Sequence, residues 1–308
     1  MKSLKLIQYT VAVAGLFVHL GTVNAENIVV FGDSLSDTGN IASVSEGGTL
    51  PPPFFEGSRI SNGPVAVEIA AELAGDTLLP SLHLVGGNGG LNYAVAGARA
   101  AGEAPIDLPT QVGAFLLSQG GIAPADKTYI MFIGGNDVRD ARDAPLQEAY
   151  GIIRTATNGV EEQLNLLVNA GAQSIMVVTT PDIGKIPETL EQATDRQGRR
   201  LQFRASWLTH LFNLRVERAV KEIEQNNGLD LVILDINDIF DNITGDAAAR
   251  GFSNTTEACL NTTTFEFNEG CGFGANFDQF VFFDQIHPSA RTHEIAGRVI
   301  YAYLPTQL

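Results

Sequence analysis

The 308-residue chain is poor in cysteine, with only Cys259 and Cys271, and has a single tryptophan. Two thiols without a matching histidine pair cannot make an ordinary zinc site. No His-Glu-x-x-His or other metal spacing occurs. Positive charge is also scarce: 19 Lys+Arg stand against 35 Asp+Glu, a formal net charge of −16. No basic stripe is present to neutralise phosphates, which argues against nucleic acid as a partner. The same deficit argues against electrostatic docking on an anionic bilayer. The one glycine-rich run, Gly86-Gly87-Asn88-Gly89-Gly90, is not followed by lysine and does not form a phosphate cradle. Beyond the first 25 residues, no stretch is long and apolar enough to cross a membrane. Hydrophobic residues nonetheless make up 44%, enough for a sizeable core.

The first 25 residues stand apart. Lys2 and Lys5 precede a mostly apolar run over 11–20, and Val23-Asn24-Ala25 places small residues before a cleavage point. That layout predicts a secretory signal peptide over 1–25 and a secreted, periplasmic or extracellular mature chain. The mature chain would carry 17 basic and 35 acidic residues, a net of −18. In an oxidising compartment Cys259 and Cys271 would close a small loop; in a reducing one they would stay as two thiols. Asn242, Asn254 and Asn261 begin glycosylation sequons that matter only in a host that glycosylates.

Residues 26–308 read as one domain. Short runs apolar on both faces lie at 27–31, 129–133, 174–180 and 231–236, as buried parallel strands require. Helical patterns occupy 64–74, 110–118, 146–169, 201–225 and 290–303. This alternation predicts a parallel sheet with helices on both faces. Two segments break it: 41–63, and the Asn-, Thr-, Gly- and Phe-rich stretch 251–283. Their aromatics, among them Phe54, Phe55, Phe252, Phe265, Phe267, Phe273 and Phe277, either line a cleft or form the loops' own cores.

Candidate chemistry gathers where strands end. In Phe31-Gly32-Asp33-Ser34-Leu35-Ser36 a strand ends, a glycine permits a sharp turn, and a serine follows where a helix could begin. Open α/β sheets bind ligands at that edge. A serine nucleophile needs a base, and the base needs an orienting acid. Asp284-Gln285-Ile286-His287-Pro288 spaces Asp284 and His287 so that one turn presents both side chains. His293 lies within the last helical pattern, where it caps or packs. An acyl oxyanion also needs hydrogen-bond donors. Gly134-Gly135-Asn136-Asp137 follows a strand, so Asn136 reaches the same edge. Asn92-Tyr93-Ala94-Val95-Ala96-Gly97 supplies a glycine where a backbone N–H can approach substrate. Taken singly, each motif is also an ordinary turn or cap.

Taken together, the blocks from Phe31 to Asn40, Arg59 to Pro64, Asn92 to Gly97, Gly134 to Asp137 and Asp284 to Pro288 resemble, in this order, the GDSL family of the SGNH hydrolase superfamily. The Arg59 to Pro64 block is similar to the branch with plant GDSL lipases and bacterial secreted acyltransferases and phospholipases. The resemblance implies a three-layer α/β/α, flavodoxin-like fold. It implies Ser34 as nucleophile, His287 as general base and Asp284 as its orienting acid. The oxyanion hole is implied at the Ser34 backbone N–H, Gly97 and Asn136. No cofactor or metal is expected. The implied activity is cleavage of a small-molecule or lipid ester through an acyl-serine. An acyltransferase or a carbohydrate acetyl esterase would use the same groups, and a non-catalytic binding protein on this fold is the third class.

Overall fold

The computed structural model describes residues 28–87, 89–193 and 196–305. The leader expected at 1–25 lies outside them. The four biapolar runs form β1 (Ile28–Gly32), β2 (Thr128–Phe132), β3 (Ser174–Val178) and β4 (Val232–Leu234), parallel and in that spatial order. Every residue of β1 and β2 is buried, which explains why neither alternates polar with apolar. Residues 91–95 run along the free edge of β1. Tyr93 N–H donates to Val30 O (2.7 Å) and Val95 N–H to Gly32 O (3.1 Å). Counting that segment, the order has the flavodoxin-like form 2-1-3-4-5.

The helices are α1 (Asn40–Ser43), α2 (Ala66–Leu73), α3 (Leu108–Ser118), α4 (Gly135–Asp143), α5 (Leu146–Asn169), α6 (Pro187–Gln192), α7 (Arg196–Asn227), α8 (Ile236–Gly245) and α9 (Ala290–Ala302). Their contacts divide them into two groups, as helices on the two faces of a parallel sheet require. α2 packs on α9 and α9 on α8, while α3, α4 and α7 gather around α5. The expected three-layer architecture is therefore present. Helices α1, α4, α6 and α8 fall outside the helical patterns of the sequence. In α4 the sequence GNDVRDARD offers Val138 and Ala141 as its only sizeable apolar positions, too few to show a helical period.

Residues 251–283 are less irregular than expected. β5 (Asn254–Ala258) leads into the hairpin of β6 (Leu260–Asn261) and β7 (Glu266–Phe267), and β8 (Phe280–Phe282) returns beside β5. Cys259 and Cys271 form a disulfide. Both are buried with Phe280, and Phe267 and Phe277 pack against them. Phe252 belongs to the main core, whereas Phe265 and Phe273 are exposed. Of the loop aromatics, Phe267 and Phe277 therefore build the loop's own core.

Candidate active site

The sheet register sets the site. Gly32, Phe132, Val178 and Leu234 are aligned across β1 to β4, so the segments that follow them share one edge. Gly32 must be glycine there, since a Cβ would lie 2.3 Å from Phe132 O. The next residues form a tight turn, with Asp33 O accepting from Ser36 N–H (3.1 Å) and Asp37 N–H (3.0 Å). Ser34 rides on this turn. No regular helix starts at it, and α1 begins only at Asn40.

The opposite wall is the segment before α9. Asp284 Oδ1 accepts the backbone N–H of Ile286 (2.8 Å) and His287 (2.6 Å), closing an Asx turn. The same carboxylate lies 2.9 Å from His287 Nδ1 through each oxygen. His287 Nε2 lies 2.8 Å from Ser34 Oγ. With Nδ1–H donating to Asp284, Nε2 is left as the acceptor for the serine proton. Ser34 and Asp284 are 8% and 3% exposed, so the relay is shielded while Ser34 stays reachable. The 59–64 block braces this wall: Ser61 Oγ donates to Pro288 O (3.2 Å), and Asn62 Oδ1 accepts from Ala290 N–H (2.8 Å). His293 is elsewhere engaged. Its Nδ1 accepts Ala66 N–H (3.2 Å) at the start of α2, and burial, helped by the charge of His287, drives its pKa down to about 3.

The donor side comes from the next two segments. Asn136 stands on the first turn of α4 with its Nδ2 donating to Ala98 O (2.9 Å), which leaves the amide a second N–H. Gly97 has φ of +84°, a left-handed conformation that favours glycine. Asp37, which the sequence motifs did not single out, holds that loop by accepting Ala96 N–H (2.8 Å) while also accepting Gly39 and Asn40 N–H (2.7 Å each). Gly134 caps the start of α4 at φ of +124°, and a Cβ there would lie 2.4 Å from the Phe212 ring.

Two buried carboxylates, neither in an ion pair among the described residues, flank these groups. Asp33 accepts Leu35 N–H (3.1 Å) and the amides of Gly134 and Gly135, tying the β1 turn to the start of α4. Burial raises its pKa to about 6, against the opposing pull of those amides and of the His287 charge. Asp137 accepts Ala100 N–H (3.0 Å). Burial raises its pKa to about 7, and the Asp33 and Asp140 charges add to this against the Ala100 bond.

A cleft that reaches Leu35 and Ile286, the neighbours of Ser34 and His287, is lined by the apolar Pro181, Ile186, Phe240 and Phe282 as well, together with Asp182, Lys185, Asn237, Asp241, Thr244 and Thr255. Among the described residues, no cluster of three or more His, Cys, Asp or Glu is arranged to hold a metal ion.

The family described as GDSL-like Lipase/Acylhydrolase matches residues 28–300. Lipase 1 of Photorhabdus luminescens is 33% identical over 174 residues, which is 56% of this chain and 25% of that protein. The chain therefore spans a quarter of that relative's length. A GDSL esterase/lipase of Arabidopsis thaliana is 27% identical over 317 residues, covering 89% of this chain and 81% of the relative. Among solved structures, an acetylxylan esterase from Geobacillus stearothermophilus, crystallised as a catalytic mutant, aligns over 92% of this chain and 95% of its own, at 16% identity and TM-score 0.47. With a family match running from the first strand to the last helix, the chain belongs to the GDSL-like lipase/acylhydrolase family of ester-hydrolysing enzymes.

Proposed function

We propose that the chain is an exported serine hydrolase that cleaves carboxylic esters with an apolar acyl group through an acyl-serine intermediate. The observation that carries this reading is the unbroken relay from Ser34 Oγ to His287 Nε2 (2.8 Å) and from His287 Nδ1 to Asp284 (2.9 Å). Ser34 Oγ attacks the acyl carbonyl as its proton passes to His287 Nε2. The carbonyl oxygen gains the charge and is held by the backbone N–H of Ser34 and Gly97 and the second Nδ2–H of Asn136. His287 then gives its proton to the departing alcohol. Water enters, loses a proton to His287 and releases the acid, restoring Ser34. Asp284 keeps the imidazole in the accepting tautomer and stabilises the imidazolium that forms.

The apolar cleft beside Leu35 and Ile286 supports an apolar acyl or alkyl group over a sugar acetyl ester. The Cys259–Cys271 disulfide supports export with removal of 1–25. Packing of α2 and α8 on α9 supports residues 26–308 as one domain.

The test compares p-nitrophenyl esters of two, four, eight and sixteen carbons with wild type and Ser34→Ala. Hydrolysis abolished in the variant, together with fluorophosphonate labelling of wild type alone, is expected. Equal rates in both proteins would refute the nucleophile. Adding an alcohol acceptor and measuring new ester against free acid separates hydrolysis from acyl transfer.

A further inference from the structure

Arg139 lies one turn after Asn136 on α4, and Arg142 one turn further, so the three side chains share a face. Both arginines reach Glu188 on α6. Arg139 grips it as a fork, Nε to Oε2 at 2.9 Å and Nη2 to Oε1 at 2.6 Å. Arg142 Nη1 lies 2.8 Å from Glu188 Oε2 and donates to Thr189 Oγ1 at 2.7 Å. Arg142 is 1% exposed, and a guanidinium so placed must be paired to persist. Two further bonds point from this cluster into the site. Arg139 Nη1 donates to Asn136 Oδ1 (3.4 Å), and Glu188 N–H donates to Gln285 O (2.8 Å), between Asp284 and His287.

We propose that Arg139 and Glu188 are positioning residues that lock the Asn136 amide toward the oxyanion and couple it to the turn carrying Asp284 and His287. The proposal rests on the oxyanion role given to Asn136 above. An Asn side chain is nearly symmetric in shape, so nothing steric prevents a flip that would replace N–H by oxygen at the substrate. Two contacts set its orientation: Ala98 O takes one N–H, and Arg139 supplies a donor that only Oδ1 can accept. The bidentate pair with Glu188 in turn fixes Arg139, because a guanidinium fork held at two points has little rotational freedom. Glu188 carries the same constraint to the opposite wall through Gln285 O, so the charge-stabilising donor and the base are set by one residue. Burial opposes the charge of Glu188, but the Arg139 and Arg142 bonds outweigh it and hold its pKa below the ordinary value.

The test is steady-state kinetics on a soluble short-chain ester with Arg139→Ala, Arg139→Lys, Glu188→Gln, Asn136→Ala and the double variant Asn136→Ala/Arg139→Ala. Arg139→Ala should lower kcat by about tenfold or more while KM moves less than about threefold, since the lost interaction matters only once charge has formed. In the Asn136→Ala background the same change should lower kcat by less than about twofold, because residues acting as a unit are not additive. Lysine should fail to rescue, as it cannot bind Glu188 and Asn136 as a fork. A full additional drop in the double variant, or wild-type kcat in Arg139→Ala, overturns the proposal. If Arg139→Ala does not fold, Glu188→Gln decides, because Arg142 keeps its fork to Asp143 (2.8 Å through each nitrogen): a fall in kcat of about tenfold supports the proposal and wild-type kcat overturns it. The serine mechanism is judged separately: a dead Ser34→Ala with an unaffected Arg139→Ala would sink this proposal alone.

Discussion

Replacing Asp137 by Asn should stabilise the protein, and by more as the pH rises. Asp137 is 3% exposed and accepts the Ala100 N–H, yet no cation among the described residues forms an ion pair with it. Burial, with the charges of Asp33 and Asp140, raises its pKa from 3.8 to about 7. Between those values the folded chain holds a proton that the unfolded chain has released. The folded state therefore binds more protons, and stability falls as pH rises through that window. The stability tied to this group is full below about pH 4 and is lost by the time the pH passes about 7. At about 1.36 kcal/mol for each pH unit the window spans, the loss amounts to about 4 kcal/mol at pH 8. Asparagine keeps the oxygen that Ala100 needs and carries no charge. It gives up the favourable placement of an anion on the first turn of α4, about 0.3–1 kcal/mol. The net gain should be about 3 kcal/mol at pH 8 and close to nothing at pH 4. Urea unfolding of both proteins from pH 4 to pH 8 reads the difference directly. A difference that does not change with pH, or that favours wild type more at pH 8 than at pH 4, would refute the reasoning.

Asn136→Ala should lower kcat by ~10²–10³ with a smaller change in KM, as loss of one oxyanion donor does elsewhere; initial rates on a soluble ester check it. Asp284→Ala should cost on the order of 10⁴ in kcat, because the imidazole loses the acceptor that sets its tautomer; activity equal to wild type would remove Asp284 from the relay. Opening the Cys259–Cys271 loop by a double serine substitution should destabilise the chain by about 3 kcal/mol on the chain-entropy estimate. Thermal melts with and without reductant would expose that loss. Gly134→Ala should lower both melting temperature and kcat, since the new Cβ meets the Phe212 ring at 2.4 Å and displaces the start of α4; a variant with wild-type kcat would show that α4 tolerates the shift.

The strands and the candidate site were legible in the sequence for related reasons. A parallel strand buried on both faces must be apolar throughout, so β1, β2 and β3 announced themselves within a residue or two. Residues placed just after such strands then had to share an edge. The motif blocks also turn out to hold one another. Asn40 Nδ2 donates to Asn92 O (2.8 Å) and Ala94 O (2.9 Å), while Asn92 Nδ2 donates to Ser36 O (2.6 Å). Ser61 and Asn62 anchor the segment around His287. What stayed hidden was of two kinds. Helix α4 has too few apolar residues to show its period. Arg139 and Glu188 meet across 49 positions, and no local spacing records a contact between side chains of different helices. The i, i+3 relation of Asn136, Arg139 and Arg142 was visible only once α4 was known to be a helix.

The arrangement of charge in the site explains why a chain keeps carboxylates that weaken it. Asp33 and Asp137 are buried without an ion pair among the described residues, and each lowers stability at neutral pH by the linkage worked out above. Asp33 nevertheless serves two ends. Its oxygens gather the amides of Leu35, Gly134 and Gly135, which sets the Ser34 turn against the helix carrying Asn136. It also feels the charge of a protonated His287, which pulls the Asp33 pKa down against its burial. On the proposed mechanism that positive charge exists only while the proton of Ser34 resides on His287. In the resting enzyme the Asp33 carboxylate faces a neutral ring and is destabilising. At the tetrahedral intermediate it faces a nearby cation in a shielded environment, where Coulomb interactions are strong. An interaction present in the transition state and absent in the ground state is the kind that raises kcat. Stability lost in the resting fold and rate gained in the reaction then have one electrostatic origin.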